Sequence, residues 1–446
     1  MDCPGNEKND QEKLNMKTRL GFTQFSLAAA VFVFVGAMTP NQVFGIANWA
    51  RKYSVDCATC HSPSVPRLNA FGHQFRKLGY RMDTEIEKDK PEAYKEIGDF
   101  LSVRFRTGYA AERFSDIQTA GDGFNRFRTR NGFRMPDVTL FYAGALTKNI
   151  SLFTEIEFAD FDETQVQVFG EWFSGNPERN FTVRLGQMHT LSRIGWGGFD
   201  RPTGITTPDA LAARKLTTSP VPFRVGEDQR GVDAAFAFSP ESRIIVGAYN
   251  GVNQAGAGNQ LNGAGFGDSD NAKDVLLAYE QMLGESGFTL FGYYGTWDQK
   301  PDLAKGVLDD DKFTAFNFIR LGASSSWVFN LFDPKKVGSS ELQGGFMYAR
   351  DFFPENYPLA LNPSGADRDG RAFWVGAEQR LPHNAAIFYR FDDVLRSQEA
   401  SGGARMRHTL GYVHTIQTYL RLSAEGFIYD QNSDSLGVLV QAMFNF

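Results

Sequence analysis

Hydrophobic and polar residues alternate with a period of two along most of the chain after residue 100. In the stretch SLFTEIEFA, for example, Leu152, Ile156 and Phe158 share one face of an extended strand, while Glu155 and Glu157 share the other. An apolar face outward and a charged face inward does not suit a soluble sandwich with a packed core. It is what a lipid-embedded barrel with a wet lumen requires.

The segments between these strands also alternate in length. Very short turns (LTKNIS, FSPES, LGESG, LPHNA) are interleaved with long polar loops, as in bacterial outer-membrane barrels. We therefore predict an all-β fold, an antiparallel outer-membrane barrel of about 16 strands over residues 100–446. The longest loop, 189–228, joins the fifth and sixth strands, and by resemblance to sixteen-stranded porins we expect it to fold inward. The C-terminal Phe446 resembles the assembly signal of outer-membrane proteins.

The N-terminus has the features of a processing segment. Lys17 and Arg19 precede an apolar run that is too short to span a membrane, and small residues follow it. We interpret residues 1–45 as a leader and signal peptide whose true start is Met16, with the mature chain beginning near Ile46. The protein is thus expected to be exported, with outer-membrane lipid as its surroundings.

Composition excludes two other classes. Acidic residues outnumber basic ones, 52 to 46, so the chain lacks the basic surface that nucleic acid demands. A mean hydropathy of -0.34 excludes a bundle of membrane helices. The 41 Phe and 45 Gly residues suit a large β-barrel instead.

Residues 46–82 differ from the rest of the chain. Leu68, Phe71, Phe75 and Leu78 recur at three- and four-residue spacing, which predicts a helix that begins near Pro66. Aromatic residues of this segment either wall a macrocycle or form the core of a very small domain, and both readings are compatible. A charged linker, 83–99, separates the segment from the barrel. The aromatic residues are Trp49, Tyr53, Phe71, Phe75 and Tyr80.

The segment contains the sequence CATCH, a C-x-x-C-H motif formed by Cys57, Cys60 and His61. Two thiols at this spacing can form thioethers with one edge of a porphyrin, and the adjacent imidazole can ligate the iron. A zinc site would need four nitrogen or sulfur ligands, and a thioredoxin-like redox pair would need a βαβ frame. The motif in an exported chain therefore favours one covalently attached c-type haem.

The sixth ligand of the haem iron is left open by the sequence. His73, which follows His61 by twelve positions, is the first candidate. Met82 is the second, and a methionine ligand would raise the reduction potential relative to a histidine. The third alternative is that the iron has no second ligand from this segment.

The stretch WARKYSVDCATCHSPSVPRLNAFGHQFRKLGY resembles the cytochrome segment of the outer-membrane monohaem cytochrome–porin fusions of iron-oxidising bacteria. The matching residues are Cys57, Cys60, His61, Pro66, Leu68, Phe71, Gly72, Phe75, Gly79 and Tyr80. The resemblance implies a ferrous iron:cytochrome c oxidoreductase activity. An extracellular donor, Fe(II) in that family, passes electrons through the haem to a periplasmic c-type cytochrome.

Two other functions compete with this one. The protein is a diffusion porin whose haem is structural or sensory, or it delivers electrons outward to extracellular acceptors. Porins of this strand number are often trimers, so an oligomer is compatible with the sequence. The alternation assigns a set of charged side chains to the lumen: Arg104, Arg106, Glu155, Glu157, Arg184, Glu378, Arg380, Arg390, Asp392, Arg421 and Glu425.

Overall fold

A computed structural model describes most of the chain after residue 47. The described residues are 48–62, 66–86, 100–116, 126–159, 163–190, 203–209, 221, 223, 225, 228–251, 272–299, 314–354, 367–396, 404–416, 420–430 and 435–445. The leader 1–45, residues 87–99 of the predicted linker, and Phe446 lie outside this set. They stay predictions.

Sixteen antiparallel strands close into one barrel, in which each strand pairs with its sequence neighbours and β1 pairs with β16. This confirms the predicted antiparallel barrel and its number of strands. The strands are β1 (Leu101–Asp116), β2 (Arg126–Ala145), β3 (Ile150–Ala159), β4 (Glu163–Gly175), β5 (Asn180–His189), β6 (Asp228–Ala237), β7 (Ser242–Tyr249), β8 (Asp274–Leu283), β9 (Ser286–Gln299), β10 (Thr314–Phe329), β11 (Ser340–Phe352), β12 (Arg368–Leu381), β13 (Ala385–Arg396), β14 (Ala404–Ile416), β15 (Leu420–Asp430) and β16 (Leu436–Asn445).

The strands bury one face in the lumen and expose the other. On β8, Leu276 and Glu280 are fully buried, whereas the intervening Leu277 is 57% exposed. Because apolar side chains on the outside of a closed barrel are stable only in lipid, the protein is an integral outer-membrane barrel. The same outward pattern recurs on other strands, at Leu185, Val246, Leu321, Val375, Leu410 and Ile428.

The two ends of the barrel differ. Short connections, such as 176–179, 238–241, 284–285 and 382–384, join even-numbered strands to the next strand at one end. Long connections lie at the opposite end. Since the short turns of outer-membrane barrels face the periplasm, we assign the first end to the periplasm.

The long connection between β5 and β6 folds into the lumen where it is described, as predicted. The backbone N–H of Thr206 donates to Glu425 at 3.0 Å, and Arg421 donates to the carbonyl of Gly204 at 3.0 Å. Farther along, the ring of Phe223 packs 4.5 Å from Tyr293 on β9. The connection therefore fills part of the barrel interior.

The segment that carries the C-x-x-C-H motif contains two helices, α1 (Asn48–Tyr53) and α2 (Ala70–Lys77). The predicted start near Pro66 is wrong, because Asn69 caps α2 by accepting from the N–H of Gly72. Phe71, predicted to be buried, is 43% exposed, since the buried face runs through Gly72 and Phe75 instead. Among the described residues, no helix is long and apolar enough to cross a membrane.

Candidate functional site

The helical segment and the barrel belong to one compact unit, Gly45–Phe446, and the segment lies against the inner wall of the barrel. The side chain of Asn48 donates to the carbonyl of Ala143 on β2 at 2.9 Å. The hydroxyl of Ser151 on β3 donates to the carbonyl of Gly79 at 2.7 Å, and Arg81 donates to the carbonyl of Thr147 at 3.0 Å. All three contacts are near short turns, so the segment occupies the periplasmic end of the lumen.

Buried ion pairs also join the segment to strands β8, β11 and β12, on the other side of the lumen from β2 and β3. Arg67 contacts Glu341 on β11 and lies 3.4 Å from Glu378 on β12, and both carboxylates are fully buried. Lys77 of α2 lies 2.8 Å from Glu280 on β8, which also faces Arg243. Because a buried carboxylate without a cation is strongly unfavourable, the Arg67 pairs fix the segment to this wall, and Lys77 contacts the wall at a second point.

The C-x-x-C-H motif forms a tight turn that is fastened to helix α2. The N–H groups of Cys60 and His61 donate to the carbonyl of Cys57 at 3.2 and 3.0 Å. The N–H of Asn69 donates to the carbonyl of Cys60 at 2.9 Å, and its side chain donates to the carbonyl of Thr59 at 3.0 Å. Asn69 thus caps α2 and holds the motif at the same time.

Gly72 explains how closely the helix approaches the motif. A Cβ atom built on this residue would lie 2.2 Å from the carbonyl oxygen of Cys60, which is a backbone atom that cannot move aside. Any larger residue would therefore push α2 away from the motif.

His61 has the arrangement of a metal-ligating imidazole. Its Nδ1 atom lies 3.0 Å from the carbonyl oxygen of Arg67. A hydrogen bond from Nδ1–H to a carbonyl fixes the tautomer and leaves Nε2 as the nitrogen that can bind iron. Histidines that ligate metals commonly have such a second partner.

A cavity of about 150 Å³ lies between the motif and the barrel wall, and it is partly open to solvent. Cys60 and His61 line it from the segment, and Cys57 is buried next to them within the same turn. The other lining residues are Asn48, Trp49, Leu68, Gly72, Phe75, Arg76, Tyr80, Ser102, Val103, Phe141, Ala143, Phe153, Gln167, Phe169 and Asn445.

Beside this cavity, aromatic rings of the segment stack on aromatic rings of the barrel wall. Tyr80 stacks on Trp49 at 5.1 Å on one side and on Phe153 of β3 at 5.6 Å on the other. Phe153 in turn stacks on Phe169 of β4 at 5.2 Å. An apolar, aromatic wall with one fixed imidazole fits a haem, whose macrocycle needs apolar cover.

Cys57 is buried and Cys60 is partly buried. Burial raises the pKa of the Cys57 and Cys60 thiols to about 11. Zinc ligands and reactive redox cysteines are thiolates with lowered pKa values. Within the described part of the chain, no three His, Cys, Asp or Glu side chains group as ligands of a metal ion.

The structure does not bring the two candidates for the sixth ligand to the cavity lining. His73 is buried outside the cavity lining, within electrostatic reach of Glu280. Met82 precedes the 3-10 turn Asp83–Glu85, where its N–H donates to Glu85 at 3.2 Å. Ligation of the iron by either residue stays a prediction.

Sequence reasoning identified Trp49, Phe75 and Tyr80, which line the cavity. It missed the residues of the barrel strands that line the cavity and the anchors Arg67 and Lys77. The alternation did assign the lumen charges correctly. Arg184 pairs with Asp233 at 2.5 Å, and Arg390 pairs with Asp392 at 2.9 Å. No local pattern, however, marks which lumen residues meet the segment.

Comparisons with known proteins bear on the barrel. No protein-family profile and no curated protein matches the chain. Among solved structures, OprB of Pseudomonas putida matches with a TM-score of 0.50 at 11% identity, covering 77% of this chain and 94% of that one. The anion-selective porin of Comamonas acidovorans gives a TM-score of 0.49 at 14% identity, covering 78% and 100%. The chain is thus similar in fold to OprB.

Proposed function

We propose that this protein carries electrons across the outer membrane through one c-type haem held in the lumen of its barrel. Cys57 and Cys60 would hold the porphyrin as thioethers, and His61 would ligate the iron. An extracellular one-electron donor, with Fe(II) as the first candidate, would be oxidised, and a periplasmic c-type cytochrome would be reduced. The resemblance of the segment to the cytochrome–porin fusions supports this donor and this partner.

The observation that carries the proposal is the position of the motif. Cys60 and His61 face a cavity with an aromatic lining that is shared with β1–β4 and β16, inside a barrel embedded in lipid. A bound c-type haem would supply one-electron oxidation and reduction of its iron. The hydrocarbon layer is about 30 Å thick, so a redox group inside the barrel shortens the distance that each electron must cross.

The chain's own residues give the site its other properties. Arg67 orients the imidazole of His61 through its carbonyl and anchors the segment through its guanidinium group. Trp49, Phe75 and Tyr80 make the segment's side of the cavity apolar. The site is therefore anchored to the barrel and lined largely by apolar groups.

A diffusion porin is the second candidate, and the likeness in fold to OprB is the observation that favours it. That likeness concerns the barrel alone, and a fold of this kind hosts different functions. The anchored segment occupies the periplasmic end of the lumen, which favours electron transfer over free diffusion of solutes.

The two candidates are separated by one pair of measurements on the purified protein. We expect a covalently bound haem whose spectrum changes promptly to that of the reduced form when Fe(II) is added without oxygen. We also expect low conductance in planar bilayers. A haem that Fe(II) does not reduce, together with open-channel conductance, would favour the porin.

A further inference from the structure

The lumen surface next to the cavity carries a group of partly exposed charged side chains. Five charged side chains on β1, β2 and β3, namely Arg104, Arg106, Asp137, Glu155 and Glu157, have exposed fractions between 10% and 27%. Ion pairs elsewhere in the lumen, such as Arg184–Asp233, Arg320–Asp351 and Arg390–Asp392, are between 0% and 5% exposed. Water therefore reaches the β1–β3 wall and is excluded from those other positions.

The five side chains form a continuous surface. Arg104 lies 3.3 Å from Glu155 and 2.9 Å from Glu157. Arg106 contacts Glu157 and binds Asp137 through its Nε at 2.8 Å. We call this surface the β1–β3 lane.

The lane leads to the cavity. In the barrel register, Glu155 stands directly opposite Phe141 on β2 and Gln167 on β4, and both of those residues line the cavity. Side chains that are directly opposite in neighbouring strands have Cβ atoms about 5 Å apart. Glu157, two positions along β3, is farther from the periplasmic end, so the lane continues toward the extracellular side.

Elsewhere in the described lumen, Arg380 of β12 is also 19% exposed, and it lies beside the short turn 382–384 at the periplasmic end. On the β8–β11 side, Phe223 of the inward loop packs against Tyr293 and Phe318 in a buried apolar cluster. On the β12–β15 side, the same loop binds Glu425 and Arg390. The described part of the loop therefore contacts the wall on the β8–β11 and β12–β15 sides.

We propose that a small, water-soluble electron donor reaches the cavity through the lumen along the β1–β3 lane. This rests on the proposed function and narrows its substrate class to hydrated solutes, which excludes minerals and proteins as direct donors. The donor gives up one electron, and no bond forms or breaks in it. Three carboxylates and two guanidinium groups line the route, so its charge acts on any ion that passes.

The test uses two small one-electron donors of opposite charge, hexaammineruthenium(II) and the Fe(II)–EDTA complex. Rates of haem reduction are measured by stopped flow on the haem-loaded, full-length protein. Glu157→Gln removes one negative charge from the lane, so we expect it to slow the cation and speed the anion about threefold to tenfold at low salt. Arg106→Gln should produce the opposite pair of changes. Both effects should vanish at high salt because screening shortens the reach of each charge.

Asp83→Asn is the matched control, since Asp83 is an exposed carboxylate on the helical segment outside the lane. We expect it to leave both rates unchanged. If Glu157→Gln does not yield haem-loaded protein, Asp137→Asn makes the same change of charge within the lane and should shift both rates in the same directions.

The inference is overturned if the lane variants leave both rates unchanged, or if Asp83→Asn reproduces the effect of Glu157→Gln. The second result would place donor access on the segment's own surface. A wild-type protein that contains no haem would instead refute the proposed function.

Discussion

The Nδ1 atom of His61 lies 3.0 Å from the carbonyl oxygen of Arg67, whose guanidinium group contacts Glu341 across the lumen. One residue therefore orients the candidate iron ligand and fixes the segment to the barrel. The candidate haem site and the attachment of the segment at the periplasmic end are therefore structurally coupled. A substitution that disturbs one should also alter the other.

The first prediction concerns His61 itself. His61→Ala should leave both thioethers able to form while removing the axial nitrogen, so we expect haem that stays attached in denaturant but has a changed visible spectrum. His408→Ala is the control, because His408 bonds Tyr389 on an exposed part of the barrel. Visible spectra before and after denaturation check this. An unaltered native spectrum in His61→Ala would contradict the assigned ligand.

The second prediction concerns the anchor. Arg67→Ala leaves Glu341 and Glu378 without one of their buried cations, and such a loss typically costs about 3–5 kcal/mol. We expect the segment to detach more often, with higher conductance in planar bilayers. Arg350→Ala breaks an exposed pair with Asp367 and should change nothing. Equal conductance of the Arg67 variant and the wild type would show that the segment does not obstruct the pore.

The third prediction concerns Arg76, which alone among the described lining residues carries a permanent charge. A nearby cation favours the less positive, reduced iron. Arg76→Gln should therefore lower the equilibrium constant for reduction of the haem roughly tenfold. For a one-electron couple, this is a fall of ~59 mV in the reduction potential. Arg76→Lys should keep the wild-type potential, and so should the exposed control Lys336→Gln. Redox titrations that give one potential for all four proteins would place Arg76 outside the influence of the iron.

The fourth prediction concerns pH. Burial lowers the pKa of Lys77 to about 8 despite the attraction of Glu280, whereas a detached segment would keep the ordinary value of 10.5. The detached form then binds more protons between pH 8 and 10.5, so attachment should strengthen as pH rises through that window, by about 3 kcal/mol in all. Below pH 8, Lys77 is protonated in both forms, so the attachment of the segment does not change with pH through this residue.

Protease protection of the segment in the intact barrel measures this effect, because cleavage follows the population of the detached form. Lys77→Met should abolish the dependence on pH. Protection that weakens from pH 8 to 10.5 in the wild type would mean that the Glu280 pair outweighs the cost of burial.

The barrel was predictable because each strand carries its own signal. A period of two assigns Glu155 and Glu157 to one face without knowledge of any partner strand, and the structure places both in the lumen. The alternation of short and long connections then sets the strand number. Lipid makes the rule strict, since a charge on the outer face would be costly.

The site was predictable only in its motif. Arg67 and Glu341 are 274 positions apart, and nothing local in the sequence couples them. Proximity along the chain made His73 a candidate ligand, yet α2 turns that side chain toward Glu280 because Gly72 and Phe75 face the motif. The direction of a helical face is set by tertiary packing, which the sequence pattern alone left ambiguous.

The most direct test of the account follows electrons across a membrane. The protein is inserted into sealed vesicles that contain trapped soluble cytochrome c, and Fe(II) is added outside without oxygen. We predict that the trapped cytochrome is reduced, and that Cys57→Ser/Cys60→Ser, which cannot hold the haem covalently, abolishes the reduction. Reduction at the same rate with the double variant, or none with a haem-loaded wild type, would contradict electron transfer through this site.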